Sequence, residues 1–257
     1  MYGPIYFAMN AGDMEVLLPY LVGTVDAGTG GSDNIYEPDT CATAANFLIL
    51  RDYGIFKYPG MYASKVQISS RSLRFREESL ADMVIIAIDY IGTSRTLTTD
   101  ASTWPVADEP ALGTSAAFAP YFFKHSKLKM RNTDFGAYCK SVQLEINNNL
   151  QPAYRMSSTP TRICSYGRDV DMVAGLDWNA TTKALIGQAD NKPGFLTFSS
   201  DESTTYYTKF AFSALVAMDE DPTSPNRQSD VEWGVRNMCA VDNPATDFDY
   251  YVENKSA

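Results

Sequence analysis

The chain has 257 residues, 45% of them hydrophobic and 20% charged, with 16 tyrosines and 13 phenylalanines. That length buries one large β domain or two small ones, and the aromatic share suits strands. The net charge of −10 excludes a protein that grips nucleic acid by its phosphates, since that takes clustered Lys and Arg. It fits a solvated surface, or a wall along which a polyanion slides without sticking.

Residues 1–45 read as an N-terminal arm and loop. Apolar runs at 5–9 and 16–25 precede a Gly/Ser/Asp loop at 27–38, whose GTGGSD lacks the Gly-Lys-Ser/Thr ending of a phosphate cradle. The start lacks the basic residues and long apolar run of a signal peptide. No stretch approaches the roughly 18 apolar residues of a membrane span. A β domain is expected over 46–240. FLIL and the alternation at Ile55 and Lys57 predict two strands with a turn at 52–54, and Pro59–Gly60 predicts a further turn. A strand follows at 63–70, a charged bend at 71–78, and a β-branched, well-buried strand at 80–92. Residues 93–110 read as a long loop, 111–123 as a short helix stopped near Pro120, and the KHSKLK lysines around His125 as a solvated face.

Over 135–149 the chain reads FGAYCKSVQLEINNN, with Val142, Leu144 and Ile146 alternating against Ser141, Gln143 and Glu145. A period of two marks a half-buried strand, and the asparagines mark its turn. GMYASKVQI, from Gly60, matches GAYCKSVQL, from Gly136, at a constant offset of 76. Residues 147–166 are an excursion in which Pro152 and Pro160 exclude a regular central strand. In GRDVDMVAGLDWNA, Val170, Met172, Ala174 and Leu176 alternate with Asp169, Asp171, Val173 and Gly175. Asp82-Met83-Val84 matches Asp171-Met172-Val173, and Asp89-Tyr90 matches Asp177-Trp178, one residue out of step as a bulge allows. Pseudo-repeats are therefore expected over about 46–123 and 124–218, each a strand, an excursion and an antiparallel strand. Residues 181–196 begin helically, 204–218 form a strong strand, and 229–241 form a strand closing the sheet. Residues 241–257 read as a polar C-terminal tail with a mobile end.

Chemistry-bearing patterns are sparse. Cys41, Cys139, Cys164 and Cys239 are scattered without a C-x-x-C, and one histidine cannot complete a zinc set. Free thiols are expected, with a Cys139–Cys164 bridge as the alternative. His125 has no G-x-S-x-G partner. The pairs Asp169/Asp171 and Asp247/Asp249 each share a strand face but read as edge charges. Asp219-Glu220-Asp221 lacks calcium-loop spacing. Trp104, Trp178 and Trp233 read as packing residues, and the sequons at Asn179 and Asn254 carry no meaning without secretion. No enzyme activity, cofactor or metal is expected.

KSVQLEINNNLQPAYRM, continuing to GRDVDMVAGLDWN, resembles the tail tube proteins of long, non-contractile-tailed bacteriophages. The matching positions are Ser141, Val142, Leu144, Ile146, Asn147, Asn148, Asn149, Leu150, Tyr154, Met156, Gly167 and Arg168. The upstream YPGMYASKVQIS and VIIAIDYIG are similar to the family's first half. The resemblance covers about 55–180. It implies a mainly β, sandwich or barrel-like subunit with an internal pseudo-repeat, a short flanking helix and long loops. Such subunits form homo-oligomeric rings, hexameric or alternatively trimeric, which stack in the virion with other tail proteins after assembly in the host cytoplasm. Strands of each subunit line a barrel through which double-stranded DNA passes without specific binding, and Glu145 and Asp171 are the expected lumen-facing acids. Loops 27–38 and 93–110 are natural ring-to-ring contacts. Alternatives are a ring-forming tail terminator, a distal-tail or capsid decoration protein, or a carbohydrate-binding β-sandwich module. No membrane is implied.

Overall fold

The computed structural model describes residues 4–27, 34–38, 43–51, 54–71, 82–92, 96–98, 116–130, 132–153, 156, 162–165, 167–177, 179, 182, 184, 192–202, 205–219, 222–223, 232–240 and 250–256. In chain order the first half holds β1 (Ile5–Ala8), α1 (Ala11–Leu21), β2 (Gly23–Ala27), β3 (Asn34–Pro38), β4 (Ala45–Arg51), β5 (Gly54–Arg71), β6 (Ile85–Gly92) and β7 (Thr96–Thr98). Then come β8 (Lys127–Met130), β9 (Thr133–Asp134), β10 (Cys139–Asn147), β11 (Leu150–Ala153), β12 (Arg162–Ser165) and β13 (Asp169–Asp177). The chain closes with β14 (Lys192–Ser199), β15 (Tyr207–Asp219), β16 (Pro222–Thr223), β17 (Glu232–Ala240) and β18 (Tyr250–Lys255). The protein is mainly β and sandwich-like, and the described strands do not close into a barrel.

The main sheet runs β1-β6-β5-β10-β13-β17-β15-β14-β8-β9. Strand β15 joins its two limbs. Its first half pairs with β18, which carries β3 and β2 beyond it; its second half pairs with β17; and β14 lies along its other side. Val66, Ile68, Leu144, Ile146 and Met172 from one limb share a single core with Phe198, Phe210, Phe212 and Val252 from the other. Each such side chain removed from water contributes roughly 1.5–3 kcal/mol.

At the centre the duplication becomes a local twofold. Ile68 of β5 and Leu144 of β10 match in sequence at the offset of 76, and they face each other across the antiparallel pair. On the flanks, β6 pairs with β5 and β13 pairs with β10, both antiparallel as the strand–excursion–strand pattern predicts. The register slips between Ala63 and Lys65 in one pair and between Cys139 and Ser141 in the other. The residues skipped, Ser64 and Lys140, are equivalent in the repeat. The outer strands correct the sequence match. Ile86 pairs with Ile68 and Met172 with Leu144, so they are equivalent at an offset of 86, and matching by residue identity put them two to three residues out. Both bulges lie on the inner strands, and Asp82 and Met83 precede β6 altogether.

Several boundaries differ from the sequence reading. Residues 1–45 are no detached arm where they are described: β1 pairs with β6, and α1 buries Met14, Leu18 and Leu21. The Asn10 side chain caps the helix by accepting from the Asp13 N–H at 2.8 Å. Pro19 inside the helix leaves the Glu15 carbonyl without its usual partner, and the Tyr36 hydroxyl donates to that oxygen at 3.4 Å. At Pro59–Gly60 the chain does not turn. Strand β5 runs through, the register against β4 shifts there, and Gly60 takes φ 63°. The expected helix near 111–123 is reduced, in its described part, to 3-10 turns at Ala116–Phe118 and Phe123–His125. Strand β14 begins where a helix was expected to end, with Pro193 at a register shift that spares it a ladder bond. Strand β17 lies between β13 and β15 rather than at an edge. The C-terminal segment forms β18, with Tyr250, Val252 and Asn254 buried. Most of the expected loops at 27–38 and 93–110 lies outside the described residues, and what is described there includes β3 and β7.

Candidate functional site

Of the matching positions Ser141, Asn147, Asn148, Asn149, Gly167 and Arg168, all but Ser141 meet at the end of the β10–β13 pair. The Asn148 side chain is fully buried. Its Nδ2 donates to the Ala63 carbonyl at 2.8 Å and its backbone N–H to the Ser64 carbonyl at 2.9 Å, which locks the turn to the bulge of β5. Its Oδ1 accepts from Arg168 Nε at 2.7 Å. Arg168 also donates to the Val22 carbonyl at the C-terminus of α1 (3.3 Å), and its guanidinium lies 5.8 Å from the Tyr250 ring. One Asn–Arg pair thus gathers β5, α1, β13 and β18. Asn147 and Asn149 shape the turn. Asn149 takes φ 44°, its N–H donates to Asn147 Oδ1 at 3.1 Å, and its Nδ2 donates to Asp169 Oδ2 at 2.8 Å. Gly167 sits at φ 136°, where a Cβ would touch nothing, so its requirement is conformational. Ser141 lies apart from this clasp, on the sheet face near the bulge, opposite Arg71 and Gly175.

The half-exposed face of β6, β5, β10 and β13 is the second feature. Strand alternation sends Val66, Ile68, Val142, Leu144, Ile146, Val170 and Met172 inward, and their neighbours outward. One row across it runs Tyr6, Ala87, Gln67, Glu145 and Asp171. Glu145 and Asp171 are therefore directly opposed on neighbouring strands, both half-buried. Like charges so placed repel, and Lys65 Nζ offsets this with an ion pair to Glu145 Oε1 at 2.8 Å. Lys140 pairs with Asp177. Among the described side chains this face carries Asp89, Glu145, Asp169, Asp171 and Asp177 against Lys65 and Lys140, an acidic surface.

A buried polar chain, not visible in the sequence, ties the C-terminal strand to the core. Asn254 Nδ2 donates to the Ala11 carbonyl at 3.1 Å, and Thr208 Oγ1 donates to Asn254 Oδ1 at 2.7 Å. The Tyr121 hydroxyl, 3.1 Å from Thr208 Oγ1, is left as the donor of that contact. Burial pushes the Tyr121 phenol well above its usual range, with the Thr208 bond a smaller opposing effect. Asn254 is 1% exposed, so its sequon is closed to modification in the folded chain. The Asn179 side chain accepts from the Thr182 N–H at 3.0 Å.

The other candidates fall apart in space. Cys139 is a free thiol donating to the Ser141 carbonyl at 3.3 Å, which rules out the Cys139–Cys164 bridge. His125 packs edge-on to Phe122, and Ser199 Oγ lies 3.0 Å from the His125 carbonyl oxygen rather than at its ring. Among the described residues no three His, Cys, Asp or Glu side chains converge to hold a metal, and no helix is long and apolar enough to cross a membrane. Trp104, Trp178 and the pair Asp247/Asp249 lie outside the described residues. No protein-family model matches the chain, and no curated protein matches it.

Proposed function

We propose that the chain is the tail tube subunit of a long, non-contractile-tailed bacteriophage, a structural protein that forms stacked rings through which the genome leaves. The observation that carries this reading is the acidic outer face of β6-β5-β10-β13. It is a broad surface of paired strands that repels phosphates instead of gripping them. In the ring, Glu145 and Asp171 face the lumen, and DNA slides past without specific binding. The Asn148–Arg168 clasp at the resemblance motif holds the hairpin end against the helix, so that this face is presented as a rigid plate.

The width of the plate favours six copies over three. Four strands span about 19 Å at about 4.8 Å each, so six copies give a wall about 115 Å around and about 37 Å across. Three copies give about 18 Å across, most of it filled by inward side chains, while the major groove of a duplex alone is about 12 Å wide. Strand tilt widens both rings without changing their order. Head-to-tail contacts generate rings and open stacks alike.

Electron microscopy of the purified chain in negative stain tests the reading. Stacked rings or tubes with an open centre are expected. Single rings that never stack would instead indicate a tail terminator or distal-tail ring, and a chain that stays monomeric at high concentration would overturn the tube.

A further inference from the structure

The opposite limb of the sandwich has a different chemistry on its outer face. Across the sheet Lys129, Phe195, Ala211 and Tyr251 stand in one row, and Lys127, Thr197, Lys209 and Glu253 form the next. Ala211 is the small residue between two rings about 10 Å apart, two strand spacings. Along its own strand it lies between Lys209 and Ser213, about 13 Å apart. The result is an open groove of about 310 Å³ floored by Ala211 and lined by Lys129, Asn132, Phe195, Lys209, Ser213 and Tyr251. That volume is at the small end of the roughly 300–1,000 Å³ usual for ligand sites. Tyr251 is 37% exposed. Lys209 Nζ is 5.9 Å from the Phe195 ring and 2.7 Å from Glu253 Oε2, while Lys129 has no ion pair among the described residues. Lys127, Lys129, Lys209 and Lys255 stand here against Glu253, Asp134 opposite Lys129 and Glu37 beside Tyr251, a small local excess of positive charge in a chain whose net charge is −10. Screening over about 8 Å makes this local balance, not the distant acidic face, what a ligand meets.

We propose that this groove binds one unit of an acidic saccharide. The apolar face of the sugar rests on Ala211 between the Phe195 and Tyr251 rings. Its carboxylate meets Lys129, with Lys209 beside it, and its hydroxyls meet Asn132 and Ser213. An acidic peptide fits less well. Peptides are captured by adding to an open sheet edge, whereas β14, β15 and β18 are paired beneath this groove and offer only their face. The site goes beyond the tube reading and does not depend on it.

Titration of trigalacturonate into the full chain in about 0.15 M salt, where that screening holds, followed by NMR, tests the site, with maltotriose as the neutral counterpart. Trigalacturonate should bind with a dissociation constant on the order of 1 mM, about tenfold tighter than maltotriose. Lys129→Gln and Tyr251→Ala should each weaken it about fivefold or more while leaving the melting temperature unchanged. Should either variant unfold, shift mapping on the unaltered chain decides: perturbations centred on Phe195 and Ala211 support the site, and perturbations elsewhere overturn it. The proposal also fails if no saturable binding occurs below about 20 mM, or if maltotriose binds equally. It fails too if polyglutamate binds as well and ignores Tyr251→Ala, or if Lys129→Gln dissociates an oligomer, which would make the groove a contact between copies.

Discussion

Asn148→Ala is the sharpest test of the clasp. The side chain is fully buried, donates to the Ala63 carbonyl and accepts from Arg168 Nε. Truncation removes both and leaves a buried carbonyl and a guanidinium N–H without this partner, at about 1–3 kcal/mol per buried group. A loss of about 3 kcal/mol follows, which for a chain of this size lowers the melting temperature by about 6–12 °C. Urea unfolding of Asn148→Ala, Arg168→Ala and the double variant, at concentrations where the chain is monomeric, measures the loss and its origin. The double variant should be destabilised by less than the sum of the singles, with a coupling of about 1.5–2 kcal/mol. Coupling near zero, or Asn148→Ala within about 0.5 kcal/mol of the unaltered chain, would refute the clasp as a structural unit.

Gly167→Ala should cost about 1–2 kcal/mol through backbone strain at φ 136° alone, since added atoms meet nothing; denaturant titration reads it, and an unchanged midpoint would contradict it. Thr208→Val keeps the shape but strips the link between Tyr121 and Asn254, so a loss of about 2–4 kcal/mol is expected in the same assay. Burial raises the phenols of Tyr90 and Tyr121. Unfolded tyrosine ionises near pH 10, so the stability these residues contribute is complete below about pH 10 and is lost as pH rises beyond it, at up to about 1.4 kcal/mol per unit for each. Unfolding midpoints across that range check this, and Tyr121→Phe should flatten the decline. On the proposed tube reading, Glu145→Lys with Asp171→Lys should leave ring assembly intact on micrographs but slow genome ejection from particles; failure to assemble would place these side chains in a contact between subunits.

The legible parts of the fold are those where one local pattern sets the outcome. Alternation over Val142, Leu144 and Ile146 named the inward face correctly because a strand has only two faces. The offset between Gly60 and Gly136 revealed a repeated strand because the match runs without a gap. It could not reveal that the copies lie side by side, since pairing is a long-range choice. Helix α1 was hidden because Pro19 argues against a helix, and the hydroxyl that satisfies the orphaned Glu15 carbonyl comes from Tyr36, beyond the next strand. Strand β18 looked like a polar tail because Asn254 reads as a surface residue until Thr208 and the Ala11 carbonyl are seen around it. At the clasp, the asparagine turn and Gly167 were visible locally, while the partners of Arg168 come from Val22 and Tyr250, at opposite ends of the chain. The groove over Ala211 was half visible. Tyr207, Lys209 and Ala211 alternate to one side, but the neighbours supplying Lys129, Phe195 and Tyr251 follow only from the sheet order.

The paired bulges at Ser64 and Lys140 carry a historical consequence. An irregularity at the same place in both copies, on either side of a twofold between Ile68 and Leu144, is the geometry that fusion of a symmetric dimer into one chain would leave. The half-length ancestor would have needed only one self-compatible edge, because a strand that pairs antiparallel with its own copy closes an isologous contact without a second surface evolving. The two halves now differ: one carries the long extension of β5 that holds β4 and β7, and the other the asparagine turn that receives Arg168.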